Sequence, residues 1–520
     1  MFGFFRSLRH VVRLAGIGWT LARHDALFPL AGVPASASAL RIARWARRRD
    51  LAAPRPGQRL AAAFVAIGPA FIKLGQMLAT RADLFGDEIA ADLARLQDRL
   101  PPFPAAEARA LIEAEFGQPI SALFGSFDDE AVAAASIAQV HFACTAEGRE
   151  VAIKVLRPGI ARAFARDLDL LMWLARLIER TRPALRRLKP VEIVRTLAQS
   201  VELEMDLRFE AAAACELAEN FAGDPGFHVP RIDWLRTGRT VLTIDRVAGI
   251  RVDDRAALVA AGHPIGALLR KAAEAFFNQV FRDGFFHADL HPGNMFVAAD
   301  GAIAVVDFGI MGRLDRDTRF FLADMLVGFL SGDYRRVAEV HFAAGYVPPH
   351  RSIELFAQAC RSIGEPILGK PLNEISIARL LAQLFRVTEQ FDMETQPQLL
   401  LLQKTMVLIE GVGRQLDPDV NIWSLARPLI EGWMQENRGP EAQLRQRLEG
   451  LGDMLDRLPR LLDGVGRIAE LWSQEGVVLH AETLAAQASH RARLVAWLIV
   501  PLWLAGGALV AIALALWFAR

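Results

Sequence analysis

The stretch Phe285–Val297, "FFHADLHPGNMFV", carries three chemically active side chains at fixed spacing: His287, Asp289 and, five residues past the aspartate, Asn294. Thirteen residues beyond Asn294 stands Asp307-Phe308-Gly309, at the end of the apolar run "AIAVV". A carboxylate on a loop, an amide shortly after it and a second carboxylate at a strand end can orient a hydroxyl and hold a hard cation through oxygen. Each has a purely structural alternative: Asp289 as a turn cap, Asn294 as a loop residue, Asp307 as a strand-end turn.

Upstream, "AQVHFACT" (138–145), the turn "AEG" and "REVAIKVL" (149–156) read as a β-hairpin whose second strand contains Val151-Ala152-Ile153-Lys154. The ordered set Lys154, Asp289, Asn294, Asp307 resembles that of a protein kinase. There the lysine pairs with the α and β phosphates of ATP, the loop aspartate orients the nucleophile's hydroxyl, and the asparagine and second aspartate hold Mg²⁺. His291 stands where a kinase loop carries lysine. The partner of Lys154 is expected in "SVELEMDLRFEAAA" (200–213), read as one helical run with Glu202, Glu204, Asp206 and Glu210 as its carboxylates. Positions 206 and 210 fall one turn apart, with 204 displaced around the axis, so one carboxylate can meet the lysine while others face elsewhere. "TVLTIDRVAG" (240–249) supplies a strand and a linker beside the adenine. No G-x-G-x-x-G precedes the hairpin; "VAAASIAQVH" (132–141) takes its place. Alanine lets the backbone approach phosphate but lacks glycine's access to positive φ, so nucleotide geometry is expected to differ from an ordinary kinase.

The 520 residues suffice for two or three domains, or for one two-lobed domain with extensions. Net charge is +1, and nothing global argues for nucleic acid. Three scattered cysteines, Cys144, Cys215 and Cys360, argue against a disulfide framework or a zinc site and are expected to be reduced and buried. Of 60 basic residues only six are lysine (Lys73, Lys154, Lys189, Lys271, Lys370, Lys404), which marks each as a candidate for a site needing a compact ammonium, although most are expected to be ordinary surface residues.

Leu494–Ala519 runs without a charge and is long enough for one tilted transmembrane helix. His490, Arg491 and Arg493 precede it and only Arg520 follows, which puts the body on the cytoplasmic side. At the other end, Arg6, Arg9, Arg13 and Arg23 break the apolar residues, so the segment does not read as a signal peptide. Residues 1–60 read instead as a basic amphipathic segment, either lying on anionic membrane lipids or packing as a solvated helix on the body.

Seven stretches together resemble the UbiB-type atypical kinase-like proteins of ubiquinone biosynthesis over about residues 60–440: "GPAFIKLGQMLATRADLF" (68–85), "AAASIAQVH", "VAIKVLRPGI", "ELEMDLRFEA", "FFHADLHPGN", "VVDFG" and "LLLQKTMVLIEGVGRQLDP" (400–418). The resemblance implies an α+β, bilobal protein-kinase-like fold with a helical N-terminal extension that folds over the active site. Its divisions are 61–126 for the extension, 127–249 for the N-lobe, 250–480 for the helical C-lobe and 494–519 for the transmembrane helix. It implies ATP and Mg²⁺ as ligands, with Ala133, Ala134, Ala135, Ser136, Lys154 and Glu210 on the nucleotide, Asn294 and Asp307 on the metal and Asp289 as the catalytic carboxylate. Lys73 and Gln76, three apart on one helical face, are implied to be regulatory, with Glu204 and Asp206 facing them. The alanine-rich loop is implied to disfavour ordinary protein phosphorylation. Expected partners are prenylated quinone intermediates or the biosynthetic enzymes, at the cell inner membrane. A conventional protein kinase and a pseudokinase scaffold using ATP as a structural ligand are the alternatives.

Overall fold

The computed structural model describes residues 2–28, 55–79, 86–93, 101–181, 189–366, 387, 390–393, 396–419 and 422–438. The apolar run 494–519 lies outside them. Among the described residues no helix is long and apolar enough to cross a membrane.

The chain opens with helix α1 (Phe2–Arg23), followed by α2 (Pro56–Ile67) and α3 (Pro69–Ala79). Gly68 separates the last two at φ 133°, a conformation that side chains rarely adopt, and Pro69 starts α3 where no amide hydrogen is needed. One face of α1 is embedded: His10 and Ile17 are buried, and Arg13 reaches the buried Asp167 at 2.9 Å. Val11, Val12 and Trp19 on the same helix are exposed. The N-terminal helix therefore packs on the body along one side and offers apolar groups along another.

A five-stranded antiparallel sheet follows, from β1 (Phe124–Phe127), β2 (Ala133–Ala134), β3 (Ala138–Thr145), β4 (Glu150–Leu156) and a strand at Val241–Asp245, in the order β1-β3-β4-(241–245) with β2 beside β3. The 138–156 hairpin is present as expected, with Val140 opposite Lys154. Alternation decides what β4 does. Val151, Ile153 and Val155 are fully buried and pack with Ile112, Leu123, Phe124 and Val241, while Ala152 and Lys154 point to the opposite face. Burying each of those branched side chains stabilises the lobe by about 1.5–3 kcal/mol, and the same period-2 register aims Lys154 into the cleft.

Between β4 and the last strand of the sheet the chain is mostly helical: α4 (Ile160–Thr181), α5 (Pro190–Glu204) and α6 (Leu207–Asn220). The run 200–213 is not one helix. It breaks at Met205–Asp206, because the Asp206 carboxylate accepts from the Arg208 N–H and caps a new helix. Downstream, α7 (Ile265–Phe277) runs into a π-helical turn at Asn278–Asp283. Short strands β5 (Phe227–His228), Ile250–Arg251, Met295–Val297 and Ile303–Val305 form one small sheet, and Phe285–His287 pairs with Met311–Arg313 in another. The loop 288–294 is held between them. The linker into this half is close-packed: a Cβ on Gly249 would lie 2.8 Å from the Val297 carbonyl oxygen. Helix α8 (Pro397–Leu416) buries Leu402, Thr405, Ile409, Val412 and Leu416 along one stripe. Of the cysteines, all free, Cys360 is buried, whereas Cys144 and Cys215 are only half-buried.

Candidate active site

Three charged side chains from distant segments meet in the cleft. Lys154 Nζ donates to Glu210 Oε1 at 2.8 Å and Oε2 at 3.0 Å, and to Asp307 Oδ1 at 2.8 Å. Glu210 comes from the first turn of α6, whose start is fixed by the Asp206 cap. Asp307 follows the strand Ile303–Val305 and adopts φ 65°, in the left-handed region. Non-glycine residues held there carry roughly 1–3 kcal/mol of strain and cluster at functional sites. Burial pushes the Glu210 carboxyl up to about 7, against the pull of Lys154 and with a further push from Asp307. Burial alone would lower the Lys154 ammonium, but the two carboxylates outweigh it and hold it above its ordinary value. Asp307 is held well below the usual range: loss of water would raise it, but Lys154 wins, with Lys73 adding to the effect.

His287 ties the two loops together. Its Nδ1 accepts from the Asp289 N–H at 3.1 Å, so Nε2 carries the hydrogen and faces the Val306 carbonyl at 3.2 Å. It is fully buried, which lowers its affinity for a second proton, and its ring lies 5.7 Å from that of the buried Phe308. Asn294 donates through Nδ2 to the Asp289 carbonyl at 3.1 Å, leaving Oδ1 without a partner among the described residues. That oxygen and the half-exposed Asp307 carboxylate are both hard oxygen donors. Such a pair fits Mg²⁺, which keeps several waters and phosphate oxygens and needs few protein ligands.

The extension reaches the same place. Lys73 on α3 forms an ion pair with Glu204 at the end of α5, 2.8 Å apart, with side chains only 11% and 12% exposed. Gln76 lies three residues on along the same helix. Asp206 departs from expectation: instead of facing the extension it caps α6 and holds the Arg208 guanidinium at 2.6 Å. In the alanine loop, Ala133 and Ala134 pair with Val140 and Gln139, and Arg157 Nε donates to the Ala135 carbonyl at 2.9 Å. No residue of 133–138 has positive φ, so alanine sits here without strain. The Ser136 hydroxyl is buried without a hydrogen-bond partner, an orphan that a phosphate oxygen would satisfy.

One contact was not foreseen from the sequence. Lys404 on α8 donates to Asp289 Oδ1 at 2.8 Å. The scarcity of lysine marked position 404 as one of six, but no local spacing links it to 289.

An α+β fold that brings together this lysine, glutamate, loop aspartate and strand-end aspartate, with added helices, is a protein-kinase-like fold. The profile of the ABC1 atypical kinase-like domain matches residues 95–341, and that of the UbiB helical domain matches 360–421. A probable protein kinase UbiB of Marinobacter nauticus is 42% identical over 456 residues, 86% of this chain and 83% of that one. One from Pseudomonas entomophila is 41% identical over 475 residues, covering 90% and 88%. Among solved structures, the complex of Rv3197 with erythromycin from Mycobacterium tuberculosis matches with TM-score 0.51 at 24% identity, over 70% of this chain and 93% of that one, a likeness of fold. The chain belongs to the UbiB family of atypical kinase-like proteins.

Proposed function

We propose that this chain binds Mg·ATP between its lobes and acts as an atypical ATPase or small-molecule kinase in support of ubiquinone biosynthesis. The single observation that carries the reading is the Lys154–Glu210–Asp307 cluster, with the extension's Lys73 locked beside it by Glu204. Lys154, oriented by Glu210, would meet the α and β phosphates, and the backbone of 133–136 would cover them. Asn294 and Asp307 would hold Mg²⁺, which neutralises charge on the phosphates. Asp289 would take the proton of an attacking water or acceptor hydroxyl as its oxygen bonds to the terminal phosphorus and the bond to ADP breaks.

The extension favours water or a small acceptor over a peptide, because an ion pair buried at the cleft leaves the chain's own helix where a polypeptide substrate would lie. The names of the relatives, probable protein kinases, favour a conventional kinase as the second reading. The boundaries 61–126, 127–249 and 250–480 describe this organisation. The run 494–519 serves as a single-pass anchor in the cell inner membrane with the body cytoplasmic. The basic residues 1–60, with Val11, Val12 and Trp19 exposed on α1, add contact with anionic lipids. Prenylated quinone intermediates or the enzymes that process them are the partners.

The test is metabolite profiling of a strain lacking the gene. A prenylated quinone precursor should accumulate, the parent chain should restore quinone, and Asp307→Asn should not. Normal quinone content without the gene would refute the biosynthetic assignment.

A further inference from the structure

The catalytic loop lacks its own cation. At the position two residues beyond Asp289, His291 uses Nδ1 to accept the Gly293 N–H at 3.0 Å, and its Nε2 remains 4.0 Å from Asp289 Oδ2, beyond hydrogen-bond reach. The ring is committed to the turn of the loop. An ammonium arrives instead from Lys404, 115 positions later in sequence, within the segment matching the UbiB helical domain. Its position is not that of a casual surface lysine. Thr405, its neighbour, is wholly buried, and Leu402 and Ile409 anchor the same face of α8. At the far end of the helix, Arg255 Nε donates to the Leu416 carbonyl at 2.8 Å and Gln415 Nε2 donates to the Asp253 carbonyl at 3.2 Å. The helix backbone is fixed, while the Lys404 side chain stays 44% exposed.

We propose that Lys404 is a positioning residue for phosphoryl transfer. By holding Oδ1 of Asp289 it leaves Oδ2 turned to the acceptor's proton, and it supplies from the helical domain the charge that the loop does not carry. The inference rests on the proposed role of Asp289 as proton acceptor. It gives the helical domain a part in the chemistry: a displacement of α8 moves the carboxylate, so the step responds to whatever binds that helix. A charge-assisted hydrogen bond orients a carboxylate even at a partly exposed site, and misplacing a reacting group by an ångström lowers a rate by about a hundredfold.

The test uses the full chain in vesicles, with Mg·ATP turnover measured for the parent, Lys404→Met and Lys404→Arg. Lys404→Met should lower kcat by about 10- to 100-fold while KM for ATP and the Mg·ATP thermal shift stay within about twofold, and Lys404→Arg should recover part of the rate. Parental kcat in Lys404→Met overturns the inference. So does a loss of nucleotide binding that matches the loss of rate, which would mark a structural role. Asp307→Asn separates the two levels. If the parent turns over no faster than Asp307→Asn, the phosphoryl-transfer reading itself falls; if the parent is active and Lys404→Met equally so, only the inference falls.

Discussion

Removing Lys73 should destabilise the protein far more than removing Lys73 and Glu204 together. At 2.8 Å the pair attracts by roughly 6 kcal/mol in an effective dielectric of about 20. Taking both charges out of water opposes this by several kcal/mol per ion, so the pair contributes little net against an apolar replacement. Breaking it is different, since the surviving carboxylate stays in a site only 12% exposed. Leaving one partner of a fully buried pair costs about 3–5 kcal/mol; the residual exposure here reduces that to about 2–4 kcal/mol. Lys73→Met and Glu204→Leu should each lower the melting temperature, Lys73→Met by about 5–10 °C at the few degrees per kcal/mol of a large domain. Lys73→Met combined with Glu204→Leu should recover most of the loss. Differential scanning fluorimetry of the four proteins gives the coupling directly. Additive losses, or a Lys73→Met protein that melts with the parent, would refute the claim that this ion pair pins the extension.

Three further outcomes follow from the same geometry. Glu210, raised from 4.5 to about 7, contributes stability that is complete below pH 4.5 and lost as pH rises through 7. In nucleotide-free, metal-free protein the parent should therefore lose about 3 kcal/mol more than Glu210→Gln between pH 5 and pH 8. Asp307 is lowered, so its stabilising contribution fades only below its ordinary 3.8 and stays constant across that window; parallel pH curves for parent and Glu210→Gln would contradict the assignment. Ala134→Gly and Ala135→Gly should increase autophosphorylation with labelled ATP and impair quinone content in complemented cells, because glycine opens backbone conformations that the present loop does not use; two variants indistinguishable from the parent would make the loop a neutral cover. Deleting 494–520 should release part of the protein from membranes, with the remainder held by salt-sensitive contacts, and full retention in high salt would count against the anchor.

What was legible in the sequence was mostly what is local. The hairpin of 138–156 with Lys154 on its second strand, and the strand leading to Asp307, were plain; the facing of Lys154 away from Val151, Ile153 and Val155 came with the structure. The break at Met205–Asp206 was missed because apolar spacing continues across it, although an aspartate just before "LRFE" is itself a helix-start signal. With it went the expected orientation of Asp206, whose carboxylate is spent on capping and on Arg208. Counting lysines proved more telling than their expected surface role: Lys73, Lys154 and Lys404 all stand at the cleft, whereas Lys189 is a surface residue and Lys271 donates to the Gly301 carbonyl. Position 370 lies outside the described residues. The pairing of Lys404 with Asp289 depends on how α8 docks, and no pattern within either segment encodes that.

The claim that Asp307, Asn294 and Lys154 form an Mg·ATP site is tested most directly by thermal shift of the purified full chain, titrated with ATP in excess Mg²⁺ or in EDTA. At about a hundred times its dissociation constant a ligand stabilises by about 2.7 kcal/mol. The parent should show this stabilisation only with Mg²⁺, and Asp307→Asn should lose most of it relative to its own nucleotide-free melt. A shift in Asp307→Asn equal to that of the parent would contradict the account.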